Sequence, residues 1–194
     1  MNVIIVHAPD IAPQPWRNGG GQTRELLAWP PDPDWRVRIS RADIESDGPF
    51  SEFPGVERWF TVLEGAGVAL QFADGERMLK SGDAPLVFDG ATAPGCRLLN
   101  GPTQDLNLMI RQGKGVMQTV QTQKAWFAPF SARGLYTLDA GEWQSGGQSR
   151  ALPAHTLLWT ADGGADQWTF QPAATQHPMR AWWLGYTPNQ SVAV

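Results

Sequence analysis

Turn-forming residues interrupt this chain so often that long helices have no room: 21 glycines and 16 prolines divide it into short runs rich in aromatic and branched residues. Such runs read as strands bounded by turns. The candidates in the first part are "RVRIS", "WFTVLE", "GVALQF", "APLVFD", "CRLLN" and "DLNLMIR", and later "GLYTLD", "TLLWTA", "DQWTF" and "RAWWLGYT". The half-polar "QTRELLAW" alternates as a strand does, with Thr23, Glu25 and Leu27 on one face and Arg24, Leu26 and Ala28 on the other. Turn signals at short, regular spacing predict an all-β sandwich or barrel. The segment "SRADIESDGPFSEFPG" is expected to be a loop with at most one helical turn, because its Gly-Pro pair stops a helix.

A weak internal repeat divides the chain. Leu63-Glu64-Gly65 and Asp89-Gly90 in the first half have counterparts at Leu138-Asp139-Ala140 and Asp162-Gly163, in the same order and at nearly equal offsets. Two matches of this kind indicate a duplicated β-unit. The expected units are residues 1–112 and 113–194, with the boundary in the polar stretch from Gly113 to Gln123.

Charge excludes some function classes. A net charge of -4 with no Lys/Arg cluster argues against a nucleic-acid surface. No apolar run approaches the length of a bilayer span, and "MNVIIVHAPD" lacks the basic start of an export signal, so a cytoplasmic protein is expected. The single cysteine, Cys96, lies among apolar residues and is expected to be a packed thiol.

Gly19, Gly20 and Gly21 in "PWRNGGGQTREL" pose a sharper question, because glycine is costly to order unless the backbone needs positive φ or close approach. They fit neither a dinucleotide fingerprint nor a P-loop. Two readings stay open: a bend leading into a strand, or a loop that lets a small ligand approach the backbone.

"RWFTVLEGAGVALQF" followed by "KSGDAPLVFDG" looks like the heart of a cupin barrel. In metal-dependent cupins a His-x-His pair precedes this strand, and a Glu completes the first-motif ligands. Here the Glu position is Arg58, and the histidine positions are Ser51 and Phe53 or Glu52 and Pro54, depending on spacing. None of these replaces imidazole as a transition-metal ligand. His7, His155 and His177 are scattered outside the motif, so no metal and no other cofactor is expected.

Strand alternation puts Arg58, Phe60 and Val62 on one face, which is the interior if the register is that of a cupin. A buried guanidinium requires an anion, either a protein carboxylate or a ligand. Glu25 and Asp105 are the available internal partners, and Asp105, Asn107, Met109 and Arg111 share a face of "DLNLMIR". For Arg111 the expectation is a solvated face. Of the ten tryptophans, most are expected in the core or at a barrel mouth.

"PWRNGGGQTREL", "WRVRISRADIESDGPFSEFPGVERWFTVLEG" and "GPTQDLNLMIR", in this order over about the first 110 residues, strongly resemble the HutD/Ves family. The resemblance implies a bicupin without demonstrated catalytic activity. HutD is associated with bacterial histidine utilisation, where it is thought to limit induction by binding an intermediate such as urocanate or a formylated glutamate derivative. The Ves branch is not tied to that pathway. The motifs carry over Asn18, Gly19, Gly20, Thr23, Arg24, Glu25, Arg58, Asp105 and Asn107 as the expected ligand-binding set.

Two functions follow. One is a regulatory protein that binds a small anionic metabolite, with Arg58 as carboxylate clamp. The other is a metal-free enzyme using Glu25 or Asp105 as general base. A homodimer through sheet edges is a further expectation, which Trp182 and Trp183 would serve unless they pack their own core.

Overall fold

The computed structural model describes residues 2–31, 33–127, 129–174 and 179–189. Apart from one short 3₁₀ turn at Ala8–Asp10, the regular elements are all strands. They are β1 (Ile4–His7), β2 (Gln14–Pro15), β3 (Gly21–Trp29), β4 (Val37–Ile44), β5 (Gly48–Pro49) and β6 (Val56–Glu64). Then come β7 (Val68–Phe72), β8 (Gly75–Leu79), β9 (Leu86–Asp89), β10 (Gly95–Leu98), β11 (Thr103–Arg111) and β12 (Gly113–Thr119). The remainder are β13 (Ala132–Thr137), β14 (Gly141–Ser145), β15 (Gln148–Leu152), β16 (Thr156–Thr160), β17 (Trp168–Pro172) and β18 (Ala181–Pro188). Among the described residues no helix is long and apolar enough to cross a membrane.

Residues Ile11–Arg111 form one unit. Its six-stranded sheet has the order β2-β3-β4-β11-β6-β9, and its four-stranded sheet the order β5-β10-β7-β8. Phe60 and Val62 from β6 pack with Val68, Leu70 and Phe72 from β7 and with Cys96 from β10. Burial pushes the Cys96 thiol up to about 12, the behaviour of a packed, unreactive sulfur.

The other unit joins the residues up to Asp10 to those from Gln112 onward. Its sheets are β1-β16-β13-β18-β12 and β15-β14-β17. The expected division at residue 112 therefore differs at the N-terminus: Ile4 to His7 pair with Trp159 to Thr156 as an edge strand. Gly113 to Thr119, expected as a polar boundary, is instead strand β12 at the other edge, paired with β18. Its outward residues meet water, so apolar periodicity never marked it. Trp182 and Trp183 are buried at 3% and 2% exposure within their own unit, which settles them as core rather than edge material.

The repeat extends through six strands. In the first unit β6 pairs with β9 and β11, and β7 with β8 and β10. In the second β13 pairs with β16 and β18, and β14 with β15 and β17.

Two other expectations change. Ser40–Ile44 continues β4 rather than forming a loop, with Ser40, Ala42 and Ile44 buried on one face. Arg41 and Asp43 on the opposite face disguised it as loop sequence. The polar strands β8 and β15, each mostly exposed, carry too few apolar residues to be read from pattern.

Candidate functional site

The first unit holds an open cavity of about 1000 Å³ on the inner face of its six-stranded sheet. Register brings its side chains together in rows. Ala28, Arg38, Met109, Arg58 and Phe88 are successive cross-strand neighbours from β3 to β9. Beside them run Glu25, Ser40, Asn107 and Phe60, and then Thr23, Ala42, Asp105 and Val62. A bulge at Leu26 makes Ala28, not Leu27, the cavity-facing residue after Glu25, so simple alternation fails there.

Arg58 is only 4% exposed, and burial lowers its pKa to about 10, so it is still protonated at neutral pH. Its guanidinium lies 5.0 Å from the Phe50 ring centre, 5.1 Å from Phe88 and 5.7 Å from Phe53. Nη2 donates to Asn107 Oδ1 at 2.8 Å and Nη1 to the Ser51 carbonyl at 3.4 Å, while Nε has no acceptor. Among the described residues Arg58 makes no ion pair. Arginine only donates, so it fixes the Asn107 amide with oxygen toward Arg58. The Asn107 Nδ2 then donates to Asp105 Oδ1 at 2.5 Å.

Asp105 is 1% exposed, and burial raises its carboxyl to about 8 against the partial opposition of Arg58. At neutral pH it is largely protonated, which leaves the Arg58 charge uncompensated. A carboxyl with a higher pKa in the fold than in the unfolded chain binds its proton more tightly when folded. Its contribution to stability is therefore greatest below about pH 4 and is lost as pH rises toward about 8. Asp105→Asn is expected to flatten that decline in denaturant titrations between these limits; an unchanged slope would assign the pH dependence elsewhere.

The other wall holds a closed pair, Arg38 Nε to Glu25 Oε2 at 2.6 Å. Thr23 Oγ1 accepts from Trp16 Nε1 at 2.7 Å. Arg111 stacks on Trp35 at 3.9 Å and also lines the cavity, although its sequence position had suggested a solvated face.

Of the nine expected site residues, Asn18, Thr23, Glu25, Arg58, Asp105 and Asn107 line this cavity. Gly19, Gly20 and Arg24 do not. Arg24 points to the opposite face of the sheet and pairs with Asp43 at 2.6 Å. The glycines close a turn: Gly19 has φ of 70° and donates to the Trp16 carbonyl, while the Gly20 N–H donates to Asn18 Oδ1 at 3.0 Å. A Cβ on Gly21 would stand 2.3 Å from the Asp43 carbonyl. The triplet therefore serves a tight turn and close strand packing, the first of the two readings of "NGGG".

Sequence reasoning missed Arg38, Trp35 and Phe50 as lining residues. Arg38 shares a face with Ser40 in "RVRIS", but only its pairing with Met109 sets it beside Arg58.

Of the two alternative histidine spacings, Ser51 and Phe53 line the cavity around Arg58, whereas Glu52 and Pro54 do not. Ser51, Phe53 and Arg58 offer the cavity a carbonyl, a phenyl ring and a guanidinium, a donor set that does not fit a metal ion. His7 contacts Asp10 and does not line the cavity, nor does His155; His177 lies outside the described residues. Among the described residues no three His, Cys, Asp or Glu side chains are grouped as a metal site.

The HutD family model matches residues 8–177. The chain belongs to this family. It is 36% identical over 178 residues to Protein Ves of Citrobacter koseri, covering 90% of this chain and 92% of that one. HutD from Pseudomonas fluorescens SBW25 is 26% identical and superposes with a TM-score of 0.82, over 96% of this chain and 98% of the other. An oxalate decarboxylase variant of Bacillus subtilis, at 8% identity, shares the cupin fold with a TM-score of 0.61 over 95% of this chain and 76% of that one.

The second unit of this HutD-family chain has a different interior, filled by aromatic side chains. Arg133 on β13 stands two residues before Leu135, as Arg58 on β6 stands two residues before Phe60. Opposite Phe60 stands Asn107, whereas opposite Leu135 stands Trp183, in a cluster with Trp126 and Trp168. Arg133 covers the Trp168 ring at 4.7 Å and donates to the Asp166 carbonyl at 2.6 Å.

Proposed function

We propose that this protein is a small-molecule-binding regulator that holds a carboxylate intermediate of histidine utilisation, of the urocanate or formylglutamate kind, and limits pathway induction by sequestering or sensing it. The observation that carries the reading is Arg58, a buried cation without an ion-pair partner among the described residues and with an unused Nε, facing a cavity large enough for a metabolite. Four arginines line that cavity against two acidic side chains, Glu25 and the largely protonated Asp105, which favours a negative solute. Membership of the HutD family, and a likeness to HutD of Pseudomonas fluorescens, support the choice of pathway.

A metal-free enzyme acting on a small acidic substrate is the alternative. Its general base would be Glu25 or Asp105. Glu25 is engaged by Arg38, and Asp105 holds its proton at neutral pH, so neither is ready for that role before a substrate rearranges it.

Titration calorimetry with urocanate and with formylglutamate, followed by ultraviolet absorbance of the same mixtures, tests the proposal. Saturable heat with the ligand unchanged is the expected result. Steady loss of ligand absorbance would favour the enzyme, and absence of heat with both compounds would overturn the binding role.

A further inference from the structure

Arg58 and Asp105 are both buried in the cavity wall, and one amide stands between them. Asn107 turns its oxygen to Arg58 Nη2 at 2.8 Å and its Nδ2 to Asp105 Oδ1 at 2.5 Å. Oδ1 is an acceptor there, so the carboxyl proton belongs to Oδ2. The other charged groups near Asp105 are largely answered. On the cavity face Glu25 of β3 and Arg38 of β4 close on each other at 2.6 Å, and Arg111 at the far end of β11 rests on the Trp35 ring. On the opposite face Arg41 and Asp43 of β4 act on Asp105 with opposite signs and stand 3.4 Å apart. From β10 comes the Cys96 thiol, which burial holds neutral. Arg58 of β6 is the cation that acts most strongly on Asp105.

A solute anion on the free edge of Arg58 would set a second negative charge beside an ionised Asp105, with one guanidinium to serve both. Like charges in one site disfavour each other, and the group that can take a proton gives way. We infer that Asp105 and a bound anion compete for the charge of Arg58, so that capture of the anion draws a proton from solvent onto Asp105 Oδ2. Asp105 is then a positioning residue, which reaches the ligand through Asn107 and Arg58. This rests on the proposed function and adds a proton to its binding step. The coupling is reciprocal: the factor by which the anion tightens the proton is the factor by which the proton tightens the anion. With the Asp105 carboxyl at about 8 before binding and higher after it, affinity is full below about pH 7 and falls as pH rises through 8. Arg58, at about 10, keeps its charge over this window.

Calorimetry with urocanate and with formylglutamate at about pH 7 and about pH 9 tests the coupling, because both acids remain carboxylates throughout. A linkage of about tenfold, the order expected of two like charges across one guanidinium, weakens binding about fivefold between these limits. At about pH 8, titrations in phosphate and in Tris, which differ in heat of ionisation, are expected to show uptake of about 0.4 proton per anion bound. Asp105→Asn is expected to reduce the pH effect to below about twofold and to remove the uptake. A residue that only held the fold together would change affinity alike at both pH values. Circular dichroism checks that the variant folds, and the two-buffer measurement on the unaltered protein decides without it. Binding with no proton uptake, or uptake that survives Asp105→Asn, overturns the inference and leaves the carboxylate site standing. Absence of heat with both acids at both pH values removes the site and the inference with it.

Discussion

Arg58→Met is expected to weaken carboxylate binding by about ten- to a hundredfold while leaving the folded state at least as stable as before. The loss corresponds to one charge-assisted interaction of about 1.5–3 kcal/mol. Stability should not fall with it, because an arginine at 4% exposure without an ion pair carries a desolvation cost that its two hydrogen bonds offset only in part. Methionine is unbranched and polarisable, and it suits a position ringed by Phe50, Phe53 and Phe88. Asn107 loses a donor but borders an open cavity where water can replace it. Chemical denaturation read beside calorimetry separates the possibilities. A variant that unfolds more easily yet binds as before would make Arg58 a structural residue and remove the reason for the pocket.

Trp168→Ala is expected to lower stability by about 3–5 kcal/mol, the cost of deleting a large buried aromatic and leaving a cavity. The ring is fully buried, with Trp143 at 5.1 Å, Trp126 at 5.9 Å and Trp183 at 6.1 Å between ring centres. It also carries the Arg133 guanidinium at 4.7 Å, which would lose its aromatic cover. Against a total stability of about 5–15 kcal/mol for a domain, this is a large fraction. A shift in the denaturant midpoint equivalent to less than about 1 kcal/mol would show that the tryptophan cluster is not what holds this unit together.

Legibility in the sequence followed the local signals. The strand over "RWFTVLE" was visible because aromatic and branched residues alternate there, and its inward face follows from the period of two. The same logic failed where the chain departs from regularity or where polar residues occupy a strand. The bulge at Leu26 shifts the face of β3, and Arg41 and Asp43 hide the end of β4 within apparent loop sequence. Gly19 and Gly20 lay in a motif next to site residues, yet their task is the turn before β3; Arg24 shares the motif and faces away, held by Asp43.

Taken alone, the sequence determined that this chain makes short strands in two related units, that its cupin-like strand carries Arg58 on the same face as Phe60 and Val62, and that it resembles the HutD/Ves family. Tertiary structure decided the membership of the site. Arg38 and Arg111 join Arg58 because β4, β11 and β6 are adjacent in one sheet, and Ser51 and Phe53 rather than Glu52 and Pro54 face it. It also decided that Ile4 to His7 pair with β16. The physical reason is that alternation is a property of consecutive residues, whereas cross-strand register is set between segments far apart in the chain.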